Sequence, residues 1–217
     1  MKIGFELELF CRKPLENQTG GDYCLVPAGL PFDECGWLVE VRSEPHNDLR
    51  KAIALLNAEL ELVREQATKK GVILVQEPVA EIPRTLKVEA ARKHIKGLIK
   101  YSNIYGHQTH KCKTQFATAS LHVSFTNQKV KTFSKISWSL DGKFITKTEF
   151  KEDFQYPGFV DHAKIIVGLD KAFAQEIKAA QRNPGFYEVK SDGRIEYRSL
   201  PNTIDLAKLR VELEKLL

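Results

Sequence analysis

The sequence has no run approaching about 18 apolar residues, so nothing in it is built to cross a membrane as a helix. Its opening stretch, MKIGFELELF, carries charges where a secretory signal would be apolar, and the expected location is the cytoplasm. Cysteine is scarce. Cys11, Cys24, Cys35 and Cys112 are widely spaced with no C-x-x-C pair, and they read as reduced thiols rather than a disulfide framework. Neither common glycine-rich phosphate cradle occurs: there is no Walker loop and no G-x-G-x-x-G. No internal repeat, low-complexity tract or domain-dividing linker is visible, which makes residues 1–217 one expected domain. A chain of this length buries roughly 70% of its unfolded surface and needs no staples to hold a core.

What is present begins with a mild basic excess. The net charge is +5, and lysine carries it: 23 Lys against 10 Arg, the 33 basic residues of the chain. Such a balance suits a polyanionic ligand such as ATP or nucleic acid, and a lysine-rich solvated surface equally.

Two segments have clear helical periodicity. Over about 47–69, Leu49, Ile53, Leu56, Leu60, Val63 and Ala67 recur at spacings of four and three, with Asp48 at the N-cap position and Gly71 as the stop. Over about 161–181, Ile166, Leu169, Phe173, Ile177 and Ala180 repeat the pattern, with Asp161 as cap and Asn183-Pro184-Gly185 as stop. Weaker helices are predicted over roughly 86–101 and 204–216. Four other segments alternate with period two, the mark of half-buried strands in an antiparallel or mixed sheet. Ile3, Phe5, Leu7 and Leu9 oppose Glu6 and Glu8; Trp37, Val39 and Val41 oppose Glu40 and Arg42. Leu121, Val123 and Phe125 oppose Ser120, His122 and Ser124; Ile195 and Tyr197 oppose Arg194, Glu196 and Arg198. Asp192-Gly193, between Tyr187–Lys190 and Arg194–Arg198, signals a hairpin. The expected fold is therefore α+β: an antiparallel or mixed sheet with helices on its apolar face and the polar positions gathered on the other.

The simplest account of the polar face is solvation, but its composition points elsewhere. Lysine, the commonest charged residue of the chain, is missing from these positions, whereas glutamate, depleted in strands generally, supplies Glu6, Glu8, Glu40 and Glu196. Side chains two apart on a strand stand roughly 6.7 Å apart on one face. At an effective dielectric of about 20, two carboxylates at that distance repel by roughly 2.5 kcal/mol. Arg42, Arg194 and Arg198 could offset this, as could divalent metals. Carboxylate-rich sites suit Mg²⁺ shared with substrate phosphates.

Four short blocks, in order along the chain, carry a family resemblance. GFELELF resembles the Glu-x-Glu metal-binding strand of glutamine synthetase and glutamate–cysteine ligase, and RIEYRSLPN resembles the R-I-E-x-R strand of the same superfamily. DECGWLVEVRSEP and GRIEYRSLPN are similar to the blocks of stand-alone amidoligases, particularly the carboxylate–amine ligases found in bacteriophage genomes. ASLHVSF stands where that superfamily usually has an H-x-H pair. Only His122 remains there, with Ser120 or Ser124 replacing its partner according to register.

The resemblance implies an α+β fold like the glutamine synthetase catalytic domain, a curved, mostly antiparallel sheet with helices on one face and the active site on the other, concave one, and a ligase dependent on ATP and Mg²⁺ or Mn²⁺. Such a ligase phosphorylates a carboxylate and lets an amine displace the phosphate, giving an amide or peptide bond. It implies Glu6, Glu8, Glu40, His122 and Glu196 as metal ligands, with Arg198, Glu40 and Arg42 in catalysis. Lys190, Ser124 and Arg194 would meet the nucleotide. Arg42 has a second reading, an ion pair with Glu40 or Glu44. The implied partners are small-molecule or peptide carboxylates and amines, with no membrane partner and room for an oligomer. Two other functions compete: a catalytically degenerate relative that binds a nucleotide, peptide or protein, and a polyanion-binding module with structural carboxylates.

Other features carry less. His107, His110 and Cys112 in GHQTHKC have ligand spacing for a transition metal without completing a zinc pattern. Lys111, Lys113, Lys129, Lys131 and Lys135 form a basic region, but no interleaved aromatics support single-stranded nucleic acid. His46 reads as a capping or surface residue, Trp37 and Trp138 as core or edge packing.

Overall fold

The alternation in the sequence becomes two faces of one antiparallel sheet. A computed structural model describes residues 1–14, 21–32, 36–83, 85–86, 116–126, 136–139, 159–190 and 194–217. Its strands are β1 (Lys2–Arg12), β2 (Leu38–Arg42), β3 (Ile73–Val75), β4 (Val79–Glu81), β5 (Phe116–Thr118), β6 (Ser120–Thr126), β7 (Ile136–Ser139), β8 (Phe186–Val189) and β9 (Ile195–Pro201). The main sheet runs β2-β1-β6-β9-β8-β7, with β3 also pairing to β1. Because Phe10 faces both Leu38 and Val75, β3 occupies the side of β1 that β6 leaves after Leu7. All these pairings are antiparallel, and the architecture is α+β with an open sheet.

Ile3, Phe5, Leu7 and Leu9 of β1 line the core with Val39, Val41, Leu121, Val123, Phe125, Ile195 and Tyr197. Helices cover this face, and burying each large apolar side chain contributes roughly 1.5–3 kcal/mol. Helix α1 (Leu49–Lys69) begins where the Asp48 carboxylate accepts the N–H of Arg50 at 2.8 Å, and it ends at Gly71, whose φ of +69° favours glycine. Ala52, rather than the expected Ile53, is fully buried on α1. Spacings of three and four both return near the same face, so Ala52 joins the buried stripe while Ile53 packs, partly buried, against the same core.

The single helix expected over 161–181 is two, α2 (Phe159–Ala172) and α3 (Ala174–Ala179). Asp161 therefore lies inside the first turn of α2 instead of capping it. The apolar stripe through Ile166, Leu169, Phe173, Ile177 and Ala180 stays buried, because helical hydrogen bonds continue across the break, Phe173 N–H to Leu169 O and Ile177 N–H to Phe173 O. Tyr197 on β9 reaches through this layer to donate to Asp170 of α2. Helix α4 (Leu206–Leu216), capped by Asp205, adds Leu209 and Leu213. Among the described residues no helix is long and apolar enough to cross a membrane.

A second, smaller cluster packs Phe10, Trp37, Leu38, Ala80, Ile82, Leu86, Ala117 and Ala119. Phe10 and Leu38 follow Glu8 and precede Glu40 at a spacing of two, so the polar face itself turns apolar at this end. Trp37 belongs here and not with Val39 and Val41 as expected, since it lies outside the paired strand that enforces alternation. His46 is a capping residue: its Nδ1 accepts the Asp48 N–H at 2.9 Å. Cys11 and Cys24 are buried free thiols. Residues 87–101 of the helix expected over roughly 86–101, the GHQTHKC segment, the five lysines around it, Cys35, Cys112, Asp192-Gly193 and the Trp138 side chain lie outside the described residues.

Candidate functional site

Register decides what the polar positions meet. On β1 and β2, Glu6 faces Arg42 and Glu8 faces Glu40. Across the other side of β1, Glu6 faces His122 of β6. Ser124 faces Glu196 of β9, and Glu196 faces Glu188 of β8. Between Leu121, opposite Leu200, and Val123, opposite Tyr197, the register slips by one, so Arg198 and Ser199 together oppose His122. A bulge of this kind re-aims side chains, and here it lies at the centre of the polar face.

That face is not a solvated one. Glu6, Glu8, Glu40, Ser120, His122, Ser124, Glu188 and Glu196 are each at most 8% exposed. Glu6, Glu40 and His122 each offer one ligand atom, and these atoms lie within 4.8 Å of one another. His122 is the hub. Its Nδ1 stands 3.3 Å from Glu6 and 3.5 Å from Glu196, and its Nε2 stands 3.5 Å from Glu8. The same Nε2 meets the Ser120 hydroxyl at 2.8 Å, while the Ser120 N–H donates to Glu8 Oε2 at 2.7 Å. Ser120 thus fills the position beside His122 and Glu8, and Ser124 stands apart beside Glu196. This resolves which serine adjoins the histidine.

The cations surround this acidic centre. Arg42, exposed on β2, pairs with Glu40 at 2.9 Å and Glu6 at 3.3 Å, so the ion pair read from sequence is present with Glu40 rather than Glu44. Arg194 approaches Glu6 at 3.8 Å. Arg198 donates through Nε to Glu196 at 2.7 Å and sits 3.2 Å from Glu188. Lys190 bridges the same two carboxylates, 2.9 Å from Glu196 and 3.1 Å from Glu188.

These contacts set the protonation of the face. Burial raises the Glu6 carboxyl, but the hydrogen bond and charge of His122, a hydrogen bond shared with Glu40 and the charge of Arg42 outweigh it, leaving Glu6 well below the usual carboxylate range. Burial also raises Glu196, and the charges of Arg198, His122 and Lys190 bring it down to about 2. Lys190 is lowered, first by burial and then by repulsion from Arg198. Five carboxylates, all buried, therefore share one face with four basic side chains and one imidazole, an arrangement tolerable only because the buried charges are paired.

The donor set suits a hard divalent cation, since it offers carboxylate oxygens and one imidazole and no thiolate. Two buried oxygens, Ser124 Oγ and Glu196 Oε2, find no hydrogen-bond partner among the described residues. Buried polar atoms are nearly always satisfied, so a ligand at this point has two acceptors waiting for it.

All the residues singled out in sequence (Glu6, Glu8, Glu40, Arg42, His122, Ser124, Lys190, Arg194, Glu196 and Arg198) share this face. Glu188 was missed. Its signal was available: it alternates with Tyr187 on a strand flanking the hairpin, and it is one more glutamate on a polar face. Asn202 was also missed, although it stands at the end of the RIEYRSLPN block. It is buried, and its Nδ2 donates to the backbone oxygen of Glu8 at 2.9 Å, fixing the strand that carries the acidic pair. A scan against protein-family models and a search of curated proteins each found no match to the chain.

Proposed function

We propose that this protein is an ATP-dependent carboxylate–amine ligase whose catalytic sheet is similar to that of glutamine synthetase. One observation carries the reading. Polar residues from five strands, separated in sequence by up to nearly the whole chain, meet on one buried face that combines a glutamate–histidine cluster with a group of basic side chains. In folding terms this face is costly, since apolar residues of similar volume would serve stability as well or better.

Glu6, Glu40 and His122 would hold Mg²⁺ or Mn²⁺, with Glu8 and Glu196 adjoining. When bound, the cation supplies charge screening for the triphosphate and for the group in transfer. The reaction that fits the site begins with a substrate carboxylate oxygen attacking the γ-phosphorus of ATP, which breaks the bond to the β-phosphate oxygen and releases ADP. An amine nitrogen then attacks the acyl carbon, phosphate departs and the amine gives up a proton. Arg198 and Lys190 stand ready to stabilise oxygens of the phosphoryl group, Arg194 and Ser124 to orient the nucleotide, and Arg42 to exchange its partly exposed pairing with Glu40 for a substrate carboxylate.

A second reading, a degenerate relative that binds a nucleotide, peptide or protein without turnover, is favoured by Ser120 standing beside His122 in place of a second imidazole. The first test is thermal unfolding with Mg²⁺, ATP and both together, for the wild type and for Glu6→Gln/Glu8→Gln. A ligand that binds only the folded form at 100 times its Kd stabilises by about 2.7 kcal/mol. The expected result is a rise with both ligands that the double variant loses, and phosphate release with acid and amine then separates ligase from binder. No rise in the wild type overturns the nucleotide reading.

A further inference from the structure

Glu188 has a place in this face that the metal cluster does not explain. It is 0% exposed, as is Glu196 directly opposite it on β9. Like charges so placed repel, and the pair is tolerated because two cations are threaded between them. Lys190 lies 3.1 Å from Glu188 and 2.9 Å from Glu196; Arg198 lies 3.2 Å from Glu188 and 2.7 Å from Glu196. The result is a closed square in which each cation touches both carboxylates and each carboxylate touches both cations.

Loss of Glu188 would take from each cation one of the two carboxylates that fix it, leaving Glu196 as their shared anchor. With Glu188, each is fixed at two points. Ammonium has three donors, so Lys190 retains one N–H beyond its two carboxylates. The guanidinium of Arg198 is planar, and two contacts fix its plane.

We propose that Glu188 is a positioning residue, which holds Lys190 and Arg198 in the orientation that receives the phosphates of a nucleoside triphosphate. The inference rests on the nucleotide reading above and deepens it. Preorganised cations bind an anion without a fresh ordering cost, so loss of Glu188 weakens phosphate binding even though it removes a negative charge from the site. A simple electrostatic account gives the opposite sign, because deleting a nearby anion should strengthen binding of a polyanion.

The test compares wild type, Glu188→Gln and Glu188→Asp. Mn²⁺ alone is titrated by electron paramagnetic resonance, and Mg·ATP by calorimetry, with circular dichroism checking the fold. Expected for Glu188→Gln is unchanged Mn²⁺ affinity with Mg·ATP weakened about tenfold or more, the scale of one charge-assisted hydrogen bond. Glu188→Asp should regain part of the loss. Unchanged or tighter Mg·ATP binding by Glu188→Gln overturns the proposal and leaves the nucleotide reading intact. A parallel loss of Mn²⁺ binding also overturns it, since that marks a general collapse of the face. Should Glu188→Gln fail to fold, Glu188→Asp decides, with wild-type Mg·ATP affinity counting against the proposal. A wild type that binds Mn²⁺ but no Mg·ATP removes the nucleotide reading itself, and the proposal with it.

Discussion

Replacing Glu196 by glutamine keeps the size of a fully buried side chain and removes its charge from the centre of the face. Glu196 ionises at about 2 in the folded protein, against an ordinary value of 4.5. Held that far down by Arg198, His122 and Lys190, its ionised form is worth on the order of 3 kcal/mol to the fold. The sign follows from the direction. A folded value below the unfolded one gives stability that is complete above the unfolded range and lost as pH falls from about 4.5 toward about 2. Urea unfolding at pH 7 should therefore find Glu196→Gln less stable by roughly 3 kcal/mol. The gap should close over that acid window as the wild-type carboxyl takes up its proton. A gap that stays constant with pH would show that the loss comes from packing, and equal stability at pH 7 would show that Arg198, His122 and Lys190 do not hold this charge. Either result would refute the electrostatic account of the face.

Two further outcomes test the site and the frame that supports it. His122→Ala should weaken Mn²⁺ binding by about tenfold or more, since it removes a ligand at the centre of the cluster and even an outer-shell partner is worth about that much; electron paramagnetic resonance titration reads this, and unchanged affinity would exclude His122 as a ligand. Leu56→Ala, in the buried stripe of α1, should cost about 2–5 kcal/mol of stability by chemical denaturation, and a cost under about 1 kcal/mol would mean that α1 does not anchor the apolar face.

Strand identity and facing were legible because they are local. Successive side chains on a strand point to opposite sides, so Glu6 and Glu8 had to share a face once Ile3, Phe5, Leu7 and Leu9 were buried. Likewise Asp48 had to cap α1 once the helix began at Leu49. Helix continuity was less legible: the stripe through Phe173 gives no sign of the break there, since hydrogen bonding and burial persist across it. Trp37 showed the limit of alternation, which binds only residues inside a paired strand. Glu188 carried a local signal, alternation with Tyr187, but its meaning comes from standing opposite Glu196.

The sequence by itself determined which residues lie on the polar side of each strand and which stripes the helices bury, because both follow from the fixed geometry of extended and helical backbone. Tertiary structure alone decided strand order and register. Pairing joins segments as distant as Glu6 and His122, or His122 and Arg198, and a slip of one residue would have turned each set to the opposite face. It also decided the bulge opposite His122, the choice of Ser120 over Ser124 as the neighbour of the imidazole, and the square of Glu188, Lys190, Glu196 and Arg198. These depend on how distant strands pack to bury one apolar face, and no short stretch of chain contains that information.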